Sequence, residues 1–412
     1  MRLLNVTHSA NPAGGGVIEA VLQMSRAQQR QGHSVEIVSL DAPDAPWIRE
    51  STFPIWALGP GVSGYGYAPR LVSWLRKHRH NYDVVIGNGL WQFSGFGIRQ
   101  ALQGTTTPYV VFPHGMLDPW FKQTYPLKHL KKSLYWLFGE YRVLREARAV
   151  LFTSEEERRL ARQSFRPYLC HEVVTALGTS APPADAASQR DLFLASFPAL
   201  RGKRIFLFLG RLHEKKGCDL LIQAFARVRA ESSQQRPDAG ELHLVMAGPP
   251  RDEAYLQQLK TGAAFHFPTE EPPITWTGML SGDLKWGAYR SAEAFVLPSH
   301  QENFGFSVVE ALACQVPVLI SDKVNIWREI KADRAGLVEN DDLDGTVRLL
   351  SGWMAMADEF RQQMRVSALR CFLSRFEIEL AAGNFIDLLQ ELLQPVPDKS
   401  WPELPGVMES KR

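Results

Sequence analysis

Short apolar runs alternate with amphipathic stretches along most of the chain, the signature of strands and helices taken in turn. In the first half, runs at 3–7, 34–39, 83–87, 109–112, 150–153 and 172–176 predict strands. Helical spacing over 17–31, closed by Gly32-His33, predicts a helix, and 127–146 reads as one further long helix. The small, polar, Pro-containing stretch 178–189 (GTSAPPADAASQ) reads as a linker. Beyond it the alternation restarts, with strands predicted over 204–209, 241–246, 274–277, 294–297 and 316–321. Helices are predicted over 218–230, 253–262, 282–291, 307–314 and 326–332, and a last one over 377–393 precedes a polar, Pro-rich tail expected to fray. A restart after a linker implies two Rossmann-like layers, with ligands bound at the carboxyl ends of their strands in the cleft between them.

The chain's 412 residues suit two domains of roughly 150–200 residues each. With a formal charge of +2, no global field selects a polyanion, so nucleic acid is not an expected partner. Cys170, Cys218, Cys314 and Cys371 form no CxxC pair, which speaks against a zinc site and fits a reducing cytoplasm. The opening MRLLNVTHSANP lacks the apolar run of a signal peptide, and no stretch approaches the roughly 20 apolar residues that span a bilayer. The expectation is a cytoplasmic protein, with contact at the inner face of the plasma membrane left open.

Candidate chemistry sits where predicted strands end. The strand at 205–209 runs into Gly210-Arg211-Leu212-His213-Glu214-Lys215-Lys216-Gly217 and then a helix. Arg211 can fork two oxygens, Lys216 adds a point charge, and a helix N-terminus favours anions, which together suit a diphosphate. A solvated turn with surface basics has the same composition. Two further strands end in Met246-Ala247-Gly248-Pro249-Pro250 and Thr277-Gly278-Met279; these are tight turns, or places where a base or ribose approaches backbone near Gly248 and Met279. The richest stretch runs from Leu297 to Leu312 (LPSHQENFGFSVVEAL). Glu302 lies in a loop, Glu310 eight positions later on the first turn of a predicted helix, and Gly305 between them frees backbone amides for a ligand.

In this order and spacing, GRLHEKKG, MAGPP, TWTGML and PSHQENFGFSVVEALACQVPVLIS resemble the retaining glycosyltransferases of family 4, over nearly the whole chain. The specific element is E-x7-E, here Glu302 to Glu310, joined with GR-x4-KG. The resemblance implies an α/β GT-B fold, two Rossmann-like domains whose parallel sheets face a central cleft. Residues 1–180 would form the acceptor side and 181–375 the nucleotide-sugar side, while 376–412 would supply a helix crossing back to the first domain and then the tail. It implies a hexose donated by a UDP- or GDP-sugar to a glycan or lipid-linked acceptor, with retained configuration. Arg211 and Lys216 would hold the diphosphate, Glu302 the sugar hydroxyls, and Glu310 the ribose. Asn303, Phe304 and Gly305 would offer backbone amides. Gln315 departs from the family, which usually has Gly there. Since Glu310 is taken by the ribose, no second carboxylate remains as nucleophile, and front-face attack is the family's usual proposal. No DxD-type site is present, so neither metal nor cofactor is expected.

In the first half, Gly14-Gly15-Gly16 opens a helix, and in the resembled family such a loop approaches the donor phosphate. GGGVIE lacks GxGxxG, so the alternative of a dinucleotide loop with Asp41 as ribose acid is weak. His114, in Pro113-His114-Gly115, matches the family's histidine beside the donor sugar, and HGMLDPW resembles a subset linked to bacterial exopolysaccharide or O-antigen assembly. Ser154 reads as a helix N-cap. Residues 120–148 mix basic and aromatic side chains with few acids, which suits a membrane surface or lipid-pyrophosphate acceptor, or an ordinary helix with aromatics in the core. Two rival readings of the whole chain are a GT-B sugar-nucleotide epimerase and a non-catalytic nucleotide-sugar-binding protein.

Overall fold

The computed structural model describes residues 1–235, 241–268 and 271–394; the tail expected to fray, 395–412, lies outside them. Seven strands form the first sheet: β1 (Arg2–Thr7), β2 (Ser34–Ser39), β3 (Ile55–Ala57), β4 (Val84–Asn88), β5 (Tyr109–Phe112), β6 (Ala149–Phe152) and β7 (Glu172–Val174). Six form the second: β8 (Arg204–Leu209), β9 (Leu242–Ala247), β10 (Ile274–Gly278), β11 (Ala294–Leu297), β12 (Val318–Ser321) and β13 (Gly336–Glu339). Every named pairing is parallel. Helices cover both faces of such a sheet, so central strands read as unbroken apolar runs, as the fully buried β4, β5, β6, β11 and β12 do.

The spatial orders are β3-β2-β1-β4-β5-β6-β7 and β10-β9-β8-β11-β12-β13. Each reverses direction once, between β1 and β4 and between β8 and β11. A crevice opens at such a point because the connections on either side leave toward opposite faces. The glycine loop follows β1, the basic loop follows β8, and the Glu302 loop follows β11. Topology therefore directs all three toward one cleft.

The predicted strands stand within about two residues of those observed. The pattern does not reveal β3 and β13, edge strands of three and four residues whose positions are partly or wholly exposed. The helix predicted over 127–146 is two, Pro126–Phe138 and Glu140–Glu146, broken at Gly139, where φ −108° and ψ −96° leave helical geometry. The predicted linker is shorter than 178–189, because Asp185 accepts from the Ser188 amide and starts the helix Ala186–Ser196. Ser154 caps its helix as expected, accepting from the Glu157 amide at 3.1 Å.

The last described helix, Ile378–Leu393, returns to the first domain. It buries Ala381, Ala382, Phe385, Ile386 and Leu389 in the core that also holds the helix Gly16–Arg30. The Phe385 ring lies 5.7 Å from that of Phe112 on β5, and Glu379 pairs with Arg30 at 2.6 Å. Truncating a buried phenylalanine such as this costs about 3–5 kcal/mol, so the helix is bound to the first sheet by packing more than by its surface ion pair.

Candidate active site

A cavity of about 490 Å³ opens between the two sheets. Glycines 14–16, Arg211, Lys215, Lys216, Glu302 and Gly305 line it, and Trp120, Phe121 and Tyr125 form its far wall. A smaller space of about 180 Å³ shares Gly14, Glu302 and Gly305 and adds His114, Asn303 and Phe304. Ten of the expected residues thus meet at one place. Gly248, Met279 and Glu310 line neither space. Gly248 packs against the Gly210 backbone, Met279 is exposed, and Glu310 is buried behind the loop.

The basic loop is held in shape by its own turn. His213 accepts from the Lys215 amide, a 3-10 turn spans Glu214–Lys216, and Gly217 reverses the chain at φ 64° into the helix Cys218–Gln235. A Cβ on Gly217 would sit 2.2 Å from the Pro298 carbonyl, so glycine alone lets this loop lie against the Glu302 loop. That contact brings the Lys216 ammonium onto the Glu302 carboxylate. Burial draws Lys216 below the usual lysine range, to about 7, and Lys215 and Arg211 act in the same direction. Arg211 is exposed and has no ion-pair partner among the described residues. A guanidinium without a counter-charge at the mouth of a cavity is a ready anion contact.

The helix Phe306–Ala313 begins behind Gly305, so its free amides face the cavity. Glu310 lies in its second turn, not the first as predicted, because the helix starts at Phe306. It is buried, and each of its oxygens accepts one bond, from Lys285 Nζ at 2.7 Å and from the Tyr289 hydroxyl at 2.9 Å.

From the first domain, His114 stands at φ 51° after β5, its ring stacked on Phe112 and its Nε2 3.1 Å from Asn88 Oδ1. Burial pushes its imidazole down to about 4, so it is neutral at physiological pH. The neighbouring Gly115 lies close against Asn303, where a Cβ would come within 2.8 Å, and its amide donates to Glu157. Asn303 in turn donates to Thr153 Oγ1 at 3.2 Å. The two domains therefore touch directly beside Glu302.

Sequence spacing gives no sign of one further bridge. Lys215 Nζ donates to Gln301 Oε1 at 2.8 Å, and Gln301 Nε2 to Asp118 Oδ2 at 3.3 Å, joining the basic loop to the HGMLDPW segment. Asp41, the residue a dinucleotide loop would need, is occupied by Ser9 Oγ and the Ala10 amide, both at 2.7 Å. Among the described residues, no group of three or more His, Cys, Asp or Glu side chains is placed to hold a metal ion, and no helix is long and apolar enough to cross a membrane.

Comparison with known proteins agrees with this arrangement. Residues 15–169 match the glycosyl transferase 4-like domain, and residues 190–368 match glycosyl transferases group 1. The chain is 25% identical over 352 residues to mannosylfructose-phosphate synthase of Agrobacterium fabrum, covering 78% of this chain and 74% of that protein. It is 26% identical over 387 residues to a D-inositol 3-phosphate glycosyltransferase of Jonesia denitrificans, covering 86% of each. Sucrose-phosphate synthase from Thermosynechococcus elongatus superposes with a TM-score of 0.73 at 20% identity, over 95% of this chain and 98% of that one. Anabaena Alr3699/HepE in complex with UDP-glucose superposes with a TM-score of 0.72 at 15% identity, over 95% and 100%. Two parallel sheets meeting at their switch points, with a glycosyltransferase domain matched in each half, make this chain a glycosyltransferase of the GT-B type.

Proposed function

We propose that the enzyme transfers a hexose from a UDP- or GDP-sugar to a glycan or lipid-linked saccharide in bacterial surface polysaccharide assembly, with retention and without a metal. The observation that carries the donor reading is the cluster of Arg211, Lys215 and Lys216 against the start of the helix Phe306–Ala313, all facing one cavity. Lys216 is balanced by Glu302, but Arg211 and Lys215, the latter bonded among the described residues only to the neutral Gln301 amide, leave net positive charge. That charge matches a diphosphate, whose negative charge grows as the glycosidic bond breaks. Four groups, the three cations and the helix N-terminus, then do what a divalent ion does elsewhere. UDP and UDP-glucose, bound by the Anabaena protein, are the corresponding ligands in a relative of the same fold.

Glu302, held by Lys216, lies within reach of sugar hydroxyls. Glu310 lies buried behind the loop and lines neither space, which favours front-face attack over a double displacement using both carboxylates; its ribose contact rests on the family resemblance alone. His114, neutral, would donate to or accept from the sugar without adding charge. Acceptor assignment to surface polysaccharide rests on the HGMLDPW segment, which the Asp118–Gln301 contact ties to the donor side.

The test is thermal shift of the wild type and Arg211→Ala with UDP, GDP, ADP, TDP and their sugars, with chelator present. Stabilisation by one nucleotide, lost in the variant, is expected. Stabilisation that appears only after a divalent cation is added would refute metal independence. Epimerised donor recovered without acceptor would favour the epimerase reading instead.

A further inference from the structure

The helix Pro126–Phe138 has its amphipathicity reversed for a helix on a globular surface. Leu127, Leu130, Leu134, Leu137 and Phe138 recur at the spacing of one helical stripe, and all five are exposed, Leu127 at 82% and Phe138 at 71%. The stripe lies opposite Trp136, which is 1% exposed and donates from its indole to the Pro167 carbonyl at 2.7 Å. Trp136 thus anchors the helix to the first domain while the leucines face outward. Exposed contiguous apolar surface of this kind marks an interaction face.

Its charge selects the partner. Lys128 and Lys131 stand exposed beside the stripe, Lys122 precedes it, and the helix contains no acid. Of the two acids that follow, Glu140 is buried and Glu146 is paired with Arg99 at 2.8 Å. A second copy docked symmetrically would set lysine against lysine. An anionic lipid surface accepts both features, leucines into its interfacial layer and lysines onto its headgroups.

We infer that this face docks the enzyme on anionic membranes. The preceding turn of the same segment carries Trp120, Phe121 and Tyr125, the far wall of the cavity. Docking would set that wall at the lipid surface, where a lipid-linked acceptor presents its head group. This consequence for the acceptor rests on the transferase reading; the docking itself does not.

The experiment is co-sedimentation of the full chain with vesicles of phosphatidylcholine alone or with about one third phosphatidylglycerol. Wild type is expected to bind the anionic vesicles and to release as salt rises. Leu130→Glu/Leu134→Glu, both at exposed positions, should lower binding at least about tenfold. Lys128→Glu/Lys131→Glu should lower it in the same direction. Absence of wild-type binding, binding that ignores lipid charge, or unchanged binding by the leucine variant would each overturn the proposal. So would a wild-type dimer that the leucine variant dissociates, or vesicle binding that appears only when residues 395–412 are deleted. Nucleotide thermal shifts on the leucine variant separate the two readings. Shifts kept while vesicle binding is lost support docking; vesicle binding kept by a wild type that no nucleotide stabilises would refute the transferase reading alone.

Discussion

The cleft wall built from the second sheet carries Arg211, Lys215, Lys216 and Glu302, whereas the wall built from the first carries glycines, a neutral His114 and the rings of Trp120, Phe121 and Tyr125. Both walls arise from loops at strand carboxyl ends of similar sheets. One wall handles charge, and the other supplies a surface that excludes water and adds none. The pairing has a physical logic, since cations facing an uncharged, poorly hydrated wall interact more strongly with a diphosphate than they would in open solvent. If the division is real, damage to the two walls should differ in kind as well as size.

The largest effect is expected on the charged wall. Lys216→Ala removes a cation from the diphosphate and leaves Glu302 unpaired beside it, so kcat/KM should fall about a hundred- to a thousandfold. Steady-state kinetics with the cognate donor would measure this, and a loss below fivefold would mean that Lys216 serves only to hold Glu302. On the neutral wall, Gly15→Val forces a β-branched residue into φ 78° next to the Arg211 guanidinium. A loss of about ten- to a hundredfold in kcat/KM is expected, accompanied by a fall of a few degrees in melting temperature from the backbone strain. Full activity in that variant would show that the glycine loop does not approach the donor.

A smaller effect should appear behind the charged wall. Lys285 and Tyr289 each occupy one oxygen of Glu310, fixing the carboxylate so that its remaining lone pairs face one way. Lys285→Met is expected to weaken nucleoside diphosphate binding about five- to tenfold while leaving the 2′-deoxy nucleotide nearly unaffected. Equal weakening of both would mean that Glu310 does not contact the ribose.

The charged wall was legible in the sequence because its chemistry is local. GRLHEKKG and the stretch from Glu302 to Glu310 each place their own groups through one turn and one helix start, while it was the family resemblance, not spacing, that put the two segments at one site. The neutral wall is assembled at longer range. Gln301 reaches Asp118 across the cleft, and Gly115 meets Asn303, contacts that no short motif encodes. Periodicity also reports which face of a helix is apolar, not what covers it. The helix Ile378–Leu393 buries its stripe against the first sheet, while Pro126–Phe138 turns a similar one outward. The pattern could not distinguish them, and the choice was made by Trp136, whose single large ring filled the inner side. The edge strands β3 and β13 escaped detection for the complementary reason, having too little buried surface to leave a pattern.

The mildest prediction concerns what keeps the neutral wall neutral. Behind it, Glu140 is fully buried and accepts from the Trp91 amide at 2.6 Å, and Trp91 donates from its indole to the carbonyl of Met116, a residue of the smaller space. Burial pushes the Glu140 carboxyl up to about 8, against the opposing pulls of the Trp91 amide and Lys132. The folded chain therefore holds a proton that the unfolded chain, titrating near 4.5, has released. This contribution is fully present below the unfolded value and is lost as pH rises through 8. Glu140→Gln keeps the shape and removes the titration. Its melting temperature should exceed that of the wild type by roughly 4 °C at alkaline pH, with the gap closing toward acid pH. A constant gap across the range would mean that Glu140 is charged in the folded state, and that the first wall is less neutral than its surface residues suggest.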